Sequence, residues 1–155
     1  SGDDVGEGGL TAAGRAMKND RAEAVGREQA AQEFPRPDER LIGQPYRYAY
    51  TIALPEGRAA RYLGGTKLYK HDLQSGTRQL HDFGEGRYPG EFVFVPAHTA
   101  AGEDEGWLMG LVVNHPGETT DLVILNARDF AGEPQASIRI PHRVPPGFHG
   151  NWVGR

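Results

Sequence analysis

The sequence predicts an all-β protein, and three observations carry that prediction. Glycine and proline are frequent, 22 and 11 in 155 residues, which suits short strands joined by turns better than a helical bundle. Apolar and aromatic residues alternate with period two, most clearly over Tyr46–Leu54, where Tyr46, Tyr48, Tyr50 and Ile52 fall on one face. A set of strand signals including a hairpin recurs, at about the 40–45 residues of one propeller blade. Strand spacing in a β-sandwich is similar, so this rhythm places a propeller ahead without excluding a sandwich.

In order along the chain, residues 1–30 are rich in Gly, Ala and charge, with Val5, Leu10, Met17 and Val25 as the sizeable apolar residues. Such a stretch buries little, and a flexible or weakly helical leader is expected, followed by one folded region over 31–155. The character changes at Glu33-Phe-Pro-Arg-Pro-Asp-Glu-Arg40, and the Tyr46–Leu54 strand follows. Lys67–Leu73 and Thr77–Phe83, separated by Gln74-Ser75-Gly76, read as a hairpin. Further strands are expected at Glu91–Val95, Gly106–Val113, Asp121–Asn126 and Ala136–Ile140, with turns at 114–118 and 131–134 between them.

Composition narrows the function classes. Lys and Arg number 17 against 21 Asp and Glu, a net charge of −4 with no basic stripe, which argues against nucleic acid as a partner. There is no cysteine, so a metal would have to be held by histidine or carboxylate. Apolar runs are far short of a membrane span and no signal peptide opens the chain, so the expected location is the cytoplasm.

The chemistry concentrates near the C-terminus, at Pro141-His-Arg-Val-Pro-Pro-Gly-Phe-His149-Gly-Asn-Trp152. His149, between two glycines and two aromatics after a Pro-Pro turn, is placed to point inward as a metal ligand, and neutral imidazole is a common ligand for mid-row transition metals. A packed or hydrogen-bonded core histidine is the competing reading. Glu33 and Glu91 each lead into Pro-bounded or apolar sequence, and either could accept the remaining N–H of a metal-bound imidazole. Otherwise they are strand-end acids paired with Arg36 or Arg87. His71, His81, His98 and His115 are expected to be exposed, and neither they nor His142 are assigned a ligand role. A His-Glu-x-x-His helix, a Gly-x-Ser-x-Gly elbow and a phosphate loop are all absent from the sequence.

Six blocks, in order, resemble the C-terminal part of the carotenoid cleavage oxygenases, the group that includes lignostilbene dioxygenases and the retinal pigment epithelial membrane protein. They are Glu33-Phe-Pro-Arg with Asp38-Glu-Arg40, Leu68-Tyr-Lys-His-Asp72, Pro89-Gly-Glu-Phe-Val-Phe-Val-Pro96, Asp104-Glu-Gly-Trp-Leu108, Leu122-Val-Ile-Leu-Asn-Ala-Arg-Asp-Phe130, and Ile140-Pro-His-Arg-Val-Pro145 with Gly147-Phe-His-Gly-Asn-Trp152. The match covers about residues 31–153.

The resemblance implies part of a seven-bladed β-propeller, about two blades' worth of strands. It also implies a non-haem Fe(II) on the propeller axis, held by four histidines and flanked by glutamates. Such enzymes use O2 to cleave a conjugated C=C bond of a carotenoid, apocarotenoid or stilbene-like substrate. By position, His149 matches the last iron ligand, and Glu33 and Glu91 match glutamates that orient ligand imidazoles, in this reading those of other ligands. Pro146 stands where the family often carries a large residue. The other histidines of the chain match none of the remaining ligand motifs, and seven blades need roughly 300 residues.

The expectation is therefore a dioxygenase when complete, with a catalytically incomplete fragment or remnant of structural or binding role as the alternative. A second chain carrying the remaining blades is a further expectation. Membrane association has no amphipathic helix or apolar patch in the sequence to support it.

Overall fold

A computed structural model describes residues 31–55 and 64–154; the expectation of a leader at 1–30 lies outside the described residues. The strands are β1 (Gln32–Arg36), β2 (Tyr48–Ala53), β3 (Lys67–Asp72), β4 (Thr77–Asp82), β5 (Arg87–Pro96), β6 (Gly106–Asn114), β7 (Thr119–Asn126) and β8 (Ala136–Ile140), with a 3-10 turn at Glu39–Leu41. They form two four-stranded sheets in the orders β1-β2-β3-β4 and β5-β6-β7-β8. Every neighbouring pair is antiparallel. Each sheet is thus a sequential meander without crossovers, the unit of a propeller blade and not the Greek key of most sandwiches.

Local chemistry explains the turns. At the β3–β4 hairpin the Asp72 carboxylate accepts the amides of Gln74 and Ser75, and Gly76 takes φ +70 to close the turn. Two features depart from the sequence reading. β1 exists despite Pro35, and β5 begins at Arg87, four residues before the expected Glu91. The reason is shared: both strands contain a bulge, two residues opposing one, between Glu33 and Arg36 in β1 and between Pro89 and Phe92 in β5. The extra residue breaks the period-two pattern on which a strand is recognised.

The sheets pack face to face. Tyr50, Ile52 and Leu68 of the first meet Phe92, Phe94, Leu108, Val112, Val123 and Leu125 of the second, with Ala127 and Phe130 closing one end. Tyr50 stacks on Phe94 at 6.2 Å between ring centroids, nearly parallel. Gly110 is required beneath Phe92, because a Cβ there would lie 2.5 Å from its ring. The second sheet is also apolar on its other face, where the register aligns Val93, Met109 and Ile124, and Leu111, Leu122 and Ile138. Sheets buried on both faces produce such continuous apolar strands.

Polar clamps lock the arm between β5 and β6 onto the first sheet. The Arg40 guanidinium, paired with buried Asp38, donates to the carbonyls of Thr99 at 3.0 Å and Ala101 at 3.2 Å. The Glu103 carboxylate accepts the backbone N–H of Arg47 and that of Tyr48, at the start of β2. The buried Lys70 ammonium donates to Asp104 at 2.9 Å and to the Ala127 carbonyl at 2.8 Å, and lies over the Tyr48 ring.

One expectation about histidines is overturned. His81 is buried, at 8% exposure, because its place on β4 turns it onto Phe83 and Phe130, and its Nδ1 pairs with the Phe130 carbonyl at 3.1 Å. His71 is half-buried, with Nε2 within 2.9 Å of the Thr51 hydroxyl and 2.8 Å of Gln32 Oε1. Burial and the neighbouring Arg78 lower its pKa.

Truncation of Phe92 to Ala should cost about 3–5 kcal/mol, and Gly110→Ala, which forces Phe92 out of place, about 1–3 kcal/mol, both read as shifts of the denaturant midpoint. Acid should weaken the inter-sheet clamp. Burial pushes the Asp104 carboxyl up, but Lys70 and Arg128 more than offset it and the net shift is downward. Its stabilising contribution is complete above the ordinary carboxylate value of 3.8 and is lost as pH falls through the lower folded value. Asp104→Asn should be less stable at neutral pH and lose less stability between about pH 5 and about pH 2.

A candidate metal-ligating site on the C-terminal segment

Residues 141–154, after β8, contain no strand or helix, so their backbone groups must find partners on other elements. Glu91 provides the main one. Its carboxylate, 6% exposed, takes the N–H of Gly150 on Oε2 at 2.8 Å and faces His149 Nδ1 with Oε1 at 3.1 Å. Facing an accepting carboxylate oxygen, a neutral imidazole carries its proton on Nδ1 and its lone pair on Nε2. Nε2 makes no hydrogen bond among the described residues.

The Glu91 side chain reaches His149 because of the β5 bulge. Gly90 and Glu91 occupy the irregular stretch between the Pro89–Val112 and Phe92–Gly110 pairs, and a bulge re-aims the residue it carries. The β1 bulge works alongside it. Phe34 has a positive φ of 54°, strained for a bulky residue at about 1–3 kcal/mol. The Phe34 ring meets the His149 ring edge to face at 5.6 Å.

Two expectations about this site change. His149 does not point into a buried pocket, since its side chain is 72% exposed, with Phe34 and Glu91 covering one side. Phe148 and Trp152, the aromatics near it, are 69% and 52% exposed. Glu33 stands apart from the cluster. It is exposed on β1, opposite Ile52, and makes no hydrogen bond or ion pair among the described residues. Glu91 touches His149 itself, where the sequence reading had it orient a different ligand.

Beside His149 lies a cavity of about 700 Å³, lined chiefly by apolar residues including Phe34, Ile52, Leu111, Val113, Pro146 and Phe148. Such a volume is in the range of small-molecule sites. The donor set suits a divalent transition metal as far as it goes: a neutral imidazole with its tautomer fixed by a carboxylate. Among the described residues no three His, Asp or Glu side chains converge.

The pairing of an acid with Arg36, one of the readings of the sequence, is present between Arg36 and Glu91 at 3.6 Å. Sequence reasoning missed Phe34 and Asn151 as members of this cluster; the signal for Phe34 was its adjacency to Glu33.

Comparison with known proteins gives concordant findings. The family model described as Retinal pigment epithelial membrane protein matches residues 11–154. A Carotenoid cleavage oxygenase of Mycobacterium tuberculosis is 40% identical over 129 residues, which are 82% of this chain and 25% of that protein. The Apocarotenoid-15,15'-oxygenase of Synechocystis is 36% identical over 124 residues, 78% of this chain and 24% of that protein. The crystal structure of a cobalt-substituted Synechocystis oxygenase superposes with a TM-score of 0.72 at 33% identity, covering 80% of this chain and 26% of that one. The chain thus spans about a quarter of the length of these relatives.

Replacing Glu91 with Ala should free the His149 segment. Exchange of the Gly150 amide should accelerate by about ten- to a hundredfold, the cost of a lost charge-assisted hydrogen bond, while amides of β2 and β3 keep their protection.

Proposed function

The chain belongs to the retinal pigment epithelial membrane protein family of carotenoid cleavage oxygenases, and from that premise we propose that it supplies His149 to the iron site of an enzyme cleaving a conjugated C=C bond with O2. The substrate class is an apolar carotenoid, apocarotenoid or stilbene-like molecule. The observation that carries this reading is the pairing of His149 Nδ1 with the buried Glu91 carboxylate, which leaves Nε2 unengaged.

In this reading His149 offers Nε2 as donor, and Glu91 holds the ring in the tautomer and orientation that donation requires. When bound, Fe(II) would supply the activation of O2 that alkene cleavage needs. Phe34, Phe148 and the apolar wall behind them would offer an apolar surface to such a substrate. Glu33, exposed on β1, is free to accept from the imidazole of another ligand. All six histidines of the chain lie among the described residues and no three ligands converge. A site of four imidazoles therefore draws the others from a polypeptide beyond these 155 residues. A lone imidazole holds Fe(II) weakly, so the chain by itself is expected to be inactive. The second reading, a non-catalytic binding or structural role, would need the same His149–Glu91 pair to serve no metal.

The test is a chimera in which the matching quarter of the Mycobacterium tuberculosis relative is replaced by this chain. Under anaerobic loading the chimera should retain close to one Fe(II) per molecule and bleach an apocarotenoid in air. His149→Ala should lose both, and Glu91→Gln should weaken iron retention by about ten- to a hundredfold. A chimera with native strand content that holds no iron, or holds it equally well as His149→Ala, would contradict the assignment.

A further inference from the structure

Gly150, between His149 and Asn151, is gripped on both sides by charge. Its N–H goes to Glu91, as described, and its carbonyl accepts from the Arg36 guanidinium at 2.9 Å. The same terminal nitrogen of Arg36 donates to Asn151 Oδ1 at 3.3 Å and pairs with Glu39 Oε1 at 2.8 Å. Asn151 in turn donates from Nδ2 to Glu39 Oε2 at 2.8 Å and accepts the Trp152 amide on Oδ1. The Nε of Arg36 is buried without a hydrogen bond and lies 3.6 Å from Glu91 Oε1, the oxygen that faces His149.

We propose that Arg36 is a positioning residue for His149: its guanidinium, wedged between Glu91 and the Gly150 carbonyl, fixes the peptide after His149 and so sets where the Nε2 lone pair points. The proposal rests on the reading of His149 as a metal donor for its functional meaning, and on the contacts above for its geometry. The requirement is for a planar fork. Three oxygens, the Gly150 carbonyl, Asn151 Oδ1 and Glu39 Oε1, gather on one terminal nitrogen, while Nε of the same planar group lies 3.6 Å from Glu91 Oε1. One rigid cation thus touches the C-terminal segment and flanks the carboxylate that faces His149, a span that a single ammonium does not cover. The arrangement also explains why Arg36 sits where it does. The β1 bulge turns the Phe34 ring onto His149 while its far end, Arg36, reaches the next two residues, so one irregularity on β1 positions three consecutive residues of the segment.

The experiment reads the imidazole directly, in the metal-free chain labelled with 15N-histidine. Long-range proton–nitrogen spectra distinguish the two neutral tautomers. The wild-type chain should show His149 as the Nδ1–H form, and Arg36→Met should admit the Nε2–H form and raise Gly150 amide exchange by about tenfold. Arg36→Lys should not restore the wild-type pattern. Asn151→Ala, on an exposed part of the segment, should shift the tautomer balance in the same direction by less, and it carries the test where Arg36→Met loses its strand signal in circular dichroism. An unchanged tautomer in Arg36→Met and Asn151→Ala, or full restoration by Arg36→Lys, would overturn the proposal. Because no metal is present, this outcome is separable from a failure of iron binding, which would strike the functional reading and leave the role of Arg36 in place.

Discussion

The placement of His149 depends on one carboxylate. A segment without regular secondary structure cannot position a side chain by itself, and the Glu91 carboxylate, nearly shut off from solvent, supplies both contacts that define the local geometry, to the His149 ring and to the Gly150 amide. Burying an anion is costly unless donors surround it. Here the donors are an imidazole and a peptide N–H, and the Arg36 guanidinium adds a charge 3.6 Å away. Removing any of them exposes the others to an unbalanced charge, so the cluster behaves as a unit and its mutational effects should not add.

That carboxylate is available because two strands are irregular in corresponding ways. Each sheet opens with a bulged strand, and each bulge turns a residue toward the C-terminal segment: Glu91 from β5, and Phe34 with Arg36 from β1. The strain at Phe34 is tolerable only because the surrounding framework is rigid. That rigidity comes from the aromatic core around Tyr50 and Phe94 and from the clamps of Arg40, Glu103 and Lys70 across the two sheets. The short run Arg36–Arg40 links these levels, with Arg36 and Glu39 holding the C-terminal segment and Asp38 and Arg40 holding the β5–β6 arm.

Much of the framework was legible in the sequence because β2, β3, β4, β6, β7 and β8 obey simple rules: alternation in β2, an Asx turn and glycine between β3 and β4, and long apolar runs in β6 and β7. β8 matches its expected bounds at Ala136–Ile140. β1 and the first half of β5 escaped because Pro35 and the Pro89-Gly90 pair are ordinarily strand breakers, and here they mark bulges. His81 was misjudged as exposed since a histidine near a hairpin gives no sign of which face it takes. At the site, His149 and Glu91 were both singled out, yet their contact with each other was invisible. They lie 58 positions apart and meet only through the packing of β5 against the final segment. Arg36 could be named as an ion-pair partner, but its hold on Gly150 and Asn151 was not legible, since those contacts span more than 110 residues.

These features converge on a chain that presents one preorganised imidazole at the edge of an apolar cavity, held by two propeller blades. The most direct measurement of that claim is anomalous diffraction at the iron edge from crystals of the chimera, in which this chain replaces the matching quarter of the Mycobacterium tuberculosis relative, grown anaerobically with Fe(II). The account predicts one anomalous peak at bonding distance from Nε2 of His149, with Glu91 still on Nδ1. A peak on Nδ1, on the Glu91 carboxylate, or at another histidine with none at His149 would contradict it.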